Sequence, residues 1–118
     1  MSIDHGYDVK ESLIIIVTFY IDLHGFKEAE QAIQIRILDV IHSFISSDII
    51  IVFNALNAIM NKYVENNQGE AFINIINNTE IIPDLKDTLN ESEDEEDIGL
   101  INEFLESYDN LSAKFSQV

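Results

Sequence analysis

The sequence predicts an all-α fold of about six helices, arranged either as stacked helix hairpins or as a small helical bundle. Three observations favour helices. Apolar residues recur at helical spacing over most of the chain, the 118 residues include only one proline and four glycines, and capping residues stand where helices would begin. So few turn-forming residues do not suit a β-sandwich. We expect residues 1–118 to form a single domain, because a chain of this length buries one core.

The first predicted helix runs from Asp8 to Leu23. Asp8, with Glu11 three residues later, fits a capping box, and Gly25 fits the stop after the C-terminus. The helix is apolar on more than one face, which predicts burial on more than one side. One set of apolar residues recurs at helical spacing, Val9, Leu13, Ile16, Val17 and Tyr20, and the additional ones are Ile14, Ile15, Phe19 and Ile21.

The next two predicted helices span Lys27 to Ser46 and Ser47 to Glu65. Apolar residues recur along both at intervals of three and four. Within them, AIQIRI also favours a strand by its alternation and DIIIVF by its β-branched residues. Helix remains the expectation because each run continues into a longer helical pattern without a turn. A mixed α/β fold stays open as the alternative.

Two shorter helices are predicted after the break at VENNQGE. Asn67, with Glu70 three residues later, fits the cap of a short fourth helix. Thr79 fits the cap of a fifth helix, EIIPDLKDTL. Pro83 lies in the first turn of that helix, where its missing N–H costs little.

The last predicted helix begins within the acidic stretch NESEDEEDIG, residues 90–99. Ser92, with Glu95 three residues later, fits a capping box, and the helix is expected to end near Phe115. Acidic residues in a first helical turn interact favourably with the helix dipole, by about 0.3–1 kcal/mol each. This explains Glu93, Asp94 and Glu95. It leaves Glu91, Glu96 and Asp97 unexplained, and these are the first candidates for the recognition surface. It does not explain the further acids on both flanking helices.

The acidic residues are concentrated in the C-terminal third of the chain. The whole chain has 22 acidic and 6 basic residues, a formal net charge of −16 at pH 7. Residues 80–109 contain twelve of the acids and a single base, Lys86, so this segment alone has a net charge of −11. Such a charge repels nucleic acid and anionic lipid and attracts basic proteins. We therefore expect a basic protein partner, with no direct binding of nucleic acid or membrane.

No catalytic or metal-binding pattern is recognisable in the sequence. Cysteine is absent, which removes disulfides and thiolate chemistry. The three histidines, His5, His24 and His42, lack metal-ligand spacing. An EF-hand loop with Gly99 at its sixth position would place Ile98 where an oxygen ligand is required. We therefore expect neither an enzyme, nor a metal site, nor a cofactor.

The sequence predicts a cytoplasmic protein. The apolar run from Leu13 to Ile21 is about half the length of a membrane span. No basic region precedes that run and no small-residue cleavage site follows it, so it does not have the pattern of a secretory signal.

The segment Ala55 to Leu105, ALNAIMNKYVENNQGEAFINIINNTEIIPDLKDTLNESEDEEDIGLINEFL, resembles an armadillo or HEAT-like helical repeat. The resemblance lies in a helix that ends in ALNAIMN, an Asn-bearing turn, and a short helix that leads to IIPDL. An acidic, Ser-containing turn and another amphipathic helix follow. The resemblance implies a right-handed stack of helix hairpins whose concave surfaces bind protein partners.

In overall character the chain also resembles the immunity proteins of bacterial toxin systems, such as contact-dependent growth inhibition or colicin-type pairs. It is short, free of cysteine, very acidic and without catalytic motifs. The resemblance implies that its carboxylates replace nucleic-acid phosphates in the basic active site of a nuclease toxin. Tyr63, Phe104 and Tyr108 are candidate anchors. The carboxylates predicted to bind the partner are Asp84, Asp87, Glu91, Glu93, Asp94, Glu95, Glu96, Asp97 and Glu103. The alternatives are an armadillo-like adaptor that binds basic peptides, and a nucleic-acid mimic that inhibits DNA-binding proteins.

Overall fold

The protein is described by a computed structural model that covers residues 5–45 and 47–116. Within this part of the chain every regular element is an α-helix, so the all-α prediction is confirmed. The helices are α1 (His5–Leu23), α2 (Phe26–Gln34), α3 (Ile37–His42), α4 (Ile49–Glu65), α5 (Gly69–Asn77), α6 (Ile81–Glu91) and α7 (Glu95–Ser116).

Helix α4 lies at the centre of a small helical bundle. It packs against α1, α2, α3, α5 and α7, while α6 packs against α5 and α7. Val52, Leu56 and Ile59 of α4 are completely buried, and the buried side chains of the described residues form one cluster. Of the two predicted arrangements, the structure therefore adopts the small bundle around one central helix.

Helix α1 begins earlier than the sequence predicts. It already includes His5, so Asp8 lies inside the helix and the predicted capping box of Asp8 with Glu11 is wrong. The predicted stop is confirmed: α1 ends at Leu23, and Gly25 has a φ of 152° and a ψ of −152°. That backbone conformation is essentially restricted to glycine.

The predicted helix from Lys27 to Ser46 is wrong, because the structure divides it into α2 and α3. Arg36 has a φ of 67° and a ψ of 36°, the left-handed conformation, which ends the α-helical path. Its backbone N–H donates to the carbonyl oxygen of Ile33 at 3.0 Å, and its Nε donates to Asp39 at 2.7 Å. Helix α3 ends at His42, and the predicted end at Ser46 lies outside the described residues.

Asn67 ends α4 and does not begin α5. It has a φ of 61°, and its N–H donates to the carbonyl oxygen of Val64 at 3.1 Å. The N–H of Gln68 donates to the carbonyl oxygen of Tyr63 at 2.7 Å. These two bonds are those of a Schellman motif, in which a left-handed residue closes the last turn. The predicted cap of Asn67 with Glu70 is therefore wrong.

The cap position of α6 lies one residue after Thr79, which was the predicted cap. The residue that precedes α6 is Glu80, whose side chain makes no capping hydrogen bond. Thr79 Oγ1 accepts the N–H of Ile81 at 3.2 Å. Thr79 therefore still satisfies a backbone donor at the start of α6, although it is not the cap residue itself. Pro83 lies in the first turn of α6, as predicted.

Helix α1 is buried on one side only, which contradicts the prediction of burial on several sides. Ile14 and Ile21 are buried, and Val17 packs against the core as a partly buried residue. The outward side remains apolar and exposed. Its exposed residues are Val9, Leu13, Ile15, Ile16, Phe19, Tyr20 and Leu23.

None of the helices in the described ranges is both long enough and apolar enough to cross a membrane.

Candidate functional site

The acidic stretch forms a corner between two helices. We define the acidic corner as residues 91–97, which comprise the last residue of α6, the connection over residues 92–94 and the first turn of α7. Asp94 directly precedes α7, and its Oδ1 accepts the N–H groups of Glu96 at 2.9 Å and Asp97 at 3.3 Å. Asp94 is thus the N-cap of α7, and the predicted capping box of Ser92 with Glu95 is wrong.

Ser92 shapes the connection that precedes this cap. Its Oγ accepts the N–H of Asp94 at 3.2 Å, and its own N–H donates to the carbonyl oxygen of Thr88 at 2.8 Å. These bonds tie the connection to the end of α6. The corner is therefore held by local hydrogen bonds at both of its ends.

Asp97 lines a surface groove together with Ile49 of α4 and Thr88 of α6. It is half-buried, and the pKa of its carboxyl is raised, first by burial and then by the negative charges of Asp94 and Asp48. Asp48 directly precedes α4, so the N-termini of α4 and α7 come together here. The carboxylate of Asp97 is less available to a partner than those of its neighbours.

Asp84 has a partner within the fold. The ring nitrogen Nε2 of His42, at the end of α3, is hydrogen-bonded to Oδ2 of Asp84 on α6. The two side chains are each about 40% exposed. This contact joins two helices that are far apart in sequence, which gives both residues a structural role.

The other six predicted carboxylates are exposed and lie outside every ion pair of the described residues. Four of them lie within the acidic corner, one lies about one turn before it on α6, and one lies two turns along α7. They are Glu91, Glu93, Glu95 and Glu96, then Asp87, and finally Glu103. The structure therefore brings most of the predicted partner-binding residues to one end of the bundle.

Two of the three aromatic residues predicted as anchors are buried in the core, and the third is half-buried. Tyr63 is 3% exposed and Phe104 is 1% exposed, so both belong to the core. The ring of Tyr63 packs edge-on against Phe26 with centroids 4.8 Å apart. Tyr108 is half-buried, and its hydroxyl donates to Oδ1 of Asn77 on α5. Tyr63 and Phe104 are therefore not available to a partner.

A second concave feature lies between α1 and α4, and the sequence interpretation missed it. It is a surface groove of about 300 Å³. One wall carries three amide side chains of α4, Asn54, Asn57 and Asn61, while Phe19 and Asp22 of α1 form part of the other. The spacing of three and four residues between these asparagines, which places them on one face of a helix, was the available signal.

Among the residues that the structure describes, no group of three or more His, Asp or Glu side chains is arranged to hold a metal ion.

No family model matches the chain, and no curated protein or solved structure matches it either. The function must therefore be argued from the site alone.

Proposed function

We propose that this protein is a binding protein that inhibits a basic protein partner through its acidic corner, in the manner of an immunity protein that covers the active site of a nuclease toxin. The observation that carries the proposal is the set of six exposed carboxylates at one end of the bundle. None of the ion pairs in the described part of the chain includes them.

The fold accounts for only part of this negative charge. Asp94 caps α7 and Asp84 contacts His42, while Glu95 and Glu96 gain from the helix dipole in the first turn of α7. No such structural role applies to Asp87, which is exposed on α6. Like charges held close together destabilise the folded state through mutual repulsion. A basic partner would relieve that repulsion, which supports a role in binding.

The mechanism follows from the charge and rigidity of the corner. Carboxylates fixed on two helix ends offer oxygen acceptors to the lysine, arginine and histidine side chains that a nuclease uses to bind phosphates. Their field would also steer a basic partner and raise the association rate by roughly 10- to 1,000-fold at low salt. Inhibition would result because the acidic corner occupies the site that the nucleic acid needs.

The first experiment identifies the partner. The protein is immobilised and used at low salt to capture basic proteins from the cells that produce it, and each captured protein is assayed for nuclease activity with and without added free protein. The proposal predicts a basic nuclease whose activity falls to zero at a one-to-one molar ratio. A captured basic protein without nuclease activity, or a nuclease that remains fully active, would overturn the inhibitory role.

A further inference from the structure

The outward face of α1 carries an uninterrupted apolar seam. Its five residues are separated by steps of four, three, four and three, which is the spacing of the a and d positions in a coiled coil. The seam residues and their exposed fractions are Val9 (67%), Leu13 (38%), Ile16 (64%), Tyr20 (47%) and Leu23 (80%). Because α1 packs on the bundle through its opposite side, this seam has no partner among the described residues.

The seam and two exposed residues beside it form an apolar patch as large as the largest that soluble monomers usually expose. Phe19 at 64% and Ile15 at 38% exposure extend it toward α4. Together these side chains present on the order of 600 Å² of apolar surface, at or above the upper end of the usual largest patch of a monomer. An area of this size, if paired with an equal one, would reach the lower limit of a stable protein interface at about 1,200 Å².

The charge around the seam suits a second copy of this chain better than a basic partner. The positions that flank it in a coiled-coil arrangement are Lys10, Ser12, Val17, Phe19 and His24, and none of them is acidic. Two chains of net charge −16 can therefore approach with no carboxylate at these flanking positions, while Asp22 and Glu28 line the grooves on the two sides of α1.

The position of α1 in the bundle also separates this face from the acidic corner. Helix α1 lies beside the face of α4 that includes Ile51 and Ala58. Helix α7 lies beside the face that includes Val52 and Leu56. At 100° per residue these two faces are about 130° apart around α4.

We infer that the protein forms a homodimer in which the α1 helices of two copies pack seam to seam. The apolar seam supplies the contact, and both acidic corners remain exposed at the far sides of the dimer. Ile16 lies at the middle of the seam, so it meets its counterpart whether the two helices run parallel or antiparallel in register. The inference does not depend on the identity of the partner that the acidic corner binds.

The test is the molar mass in solution, measured by sedimentation equilibrium between 5 and 100 µM in about 0.15 M and 0.5 M salt. We expect the wild-type protein to have a mass of about 27 kDa, twice the 13.5 kDa of one chain. Higher salt should favour the dimer because it screens the repulsion between the two acidic chains. The Ile16→Glu variant should have the mass of one chain with unchanged helical circular dichroism. The matched control, Ile50→Glu, places the same charge on an exposed apolar residue of α4 and should remain dimeric.

Three outcomes would overturn the inference. The wild-type protein could be a monomer at 100 µM in both salt concentrations. The Ile16→Glu and Ile50→Glu variants could both be monomeric, or both could remain dimeric. The wild-type protein could remain monomeric and float with vesicles of phosphatidylcholine, which would assign the seam to a lipid surface instead.

Discussion

The carboxylate of Asp94 accepts the backbone N–H of Glu96 at 2.9 Å, which makes one acidic residue of the corner a structural cap. The cap divides the carboxylates of this segment into those that hold α7 in place and those that remain free for a partner. Any test of binding must leave the first group intact, because its loss would change the fold as well as the charge.

The Asp94→Ala variant should be less stable than the wild type by about 1 kcal/mol, the usual cost of removing an N-cap side chain. Chemical denaturation followed by circular dichroism measures this difference. The control is Ser92→Ala, which removes a single exposed hydrogen bond and should change the free energy of unfolding by less than about 0.5 kcal/mol. A larger cost for Ser92→Ala than for Asp94→Ala would show that Ser92 is the real cap.

The connection between α1 and α2 depends on a glycine. Gly25 has a φ of 152°, and no atom would lie within 4 Å of an added Cβ, so an alanine there suffers backbone strain and not collision. We expect Gly25→Ala to lower the free energy of unfolding by about 1–3 kcal/mol. Gly99 of α7 also has open space around it, and Gly99→Ala should raise stability by about 0.5–1 kcal/mol. Equal effects of the two substitutions would contradict this interpretation.

Asp97 should make stability depend on pH. Its pKa is raised in the folded protein by burial and by the charges of Asp94 and Asp48, so the folded chain binds this proton more tightly than the unfolded chain does. The contribution of Asp97 to stability is therefore favourable at low pH and is lost as the pH rises through its folded pKa.

Asp97→Asn removes that dependence. The free energy of unfolding of the variant minus that of the wild type should increase as the pH rises from about 4 to about 7. Urea denaturation at each pH measures this difference. Glu95→Gln, which removes one exposed carboxylate from the same turn, serves as the control. If the Asp97→Asn variant instead lost relative stability with rising pH, the attraction of the helix dipole for Asp97 would outweigh burial and repulsion.

The sequence predicted the helices well where periodicity is long and flanked by turn signals. The limits of α4, α6 and α7 lie within a few residues of the prediction because their apolar faces repeat over several turns. The break between α2 and α3 was missed because neither glycine nor proline marks it. Arg36 adopts a left-handed conformation that the local sequence does not require.

Two other errors have their origin in long-range structure. Periodicity showed that α1 is apolar on more than one face, but it could not show that the bundle covers only one side of it. Likewise, Asp84 looked like a member of the acidic surface because its contact with His42 spans 42 residues of sequence. The cap of α7 was misassigned for a local reason: Ser92 and Asp94 are both good capping residues, and only Ser92 is followed three residues later by a glutamate that completes the capping-box motif.

The central claim is that the free carboxylates around the corner bind a basic partner. The decisive variant combines Asp87→Asn, Glu91→Gln, Glu93→Gln and Glu96→Gln, all of which are exposed and outside the ion pairs of the described residues. It keeps Asp84, Asp94 and Asp97. The matched control removes four exposed carboxylates elsewhere, by Asp22→Asn, Glu30→Gln, Glu70→Gln and Asp109→Asn.

The measurement is the dissociation constant of the captured nuclease for the wild type and for these two variants, at two salt concentrations. If each lost ion pair contributes about 0.5–1 kcal/mol, the corner variant should bind roughly 30- to 1,000-fold more weakly and with a smaller salt dependence. The control variant should bind nearly as the wild type does. Equal affinities of the wild type and the corner variant, with the helical circular dichroism of both unchanged, would contradict the claim that the acidic corner is the recognition surface.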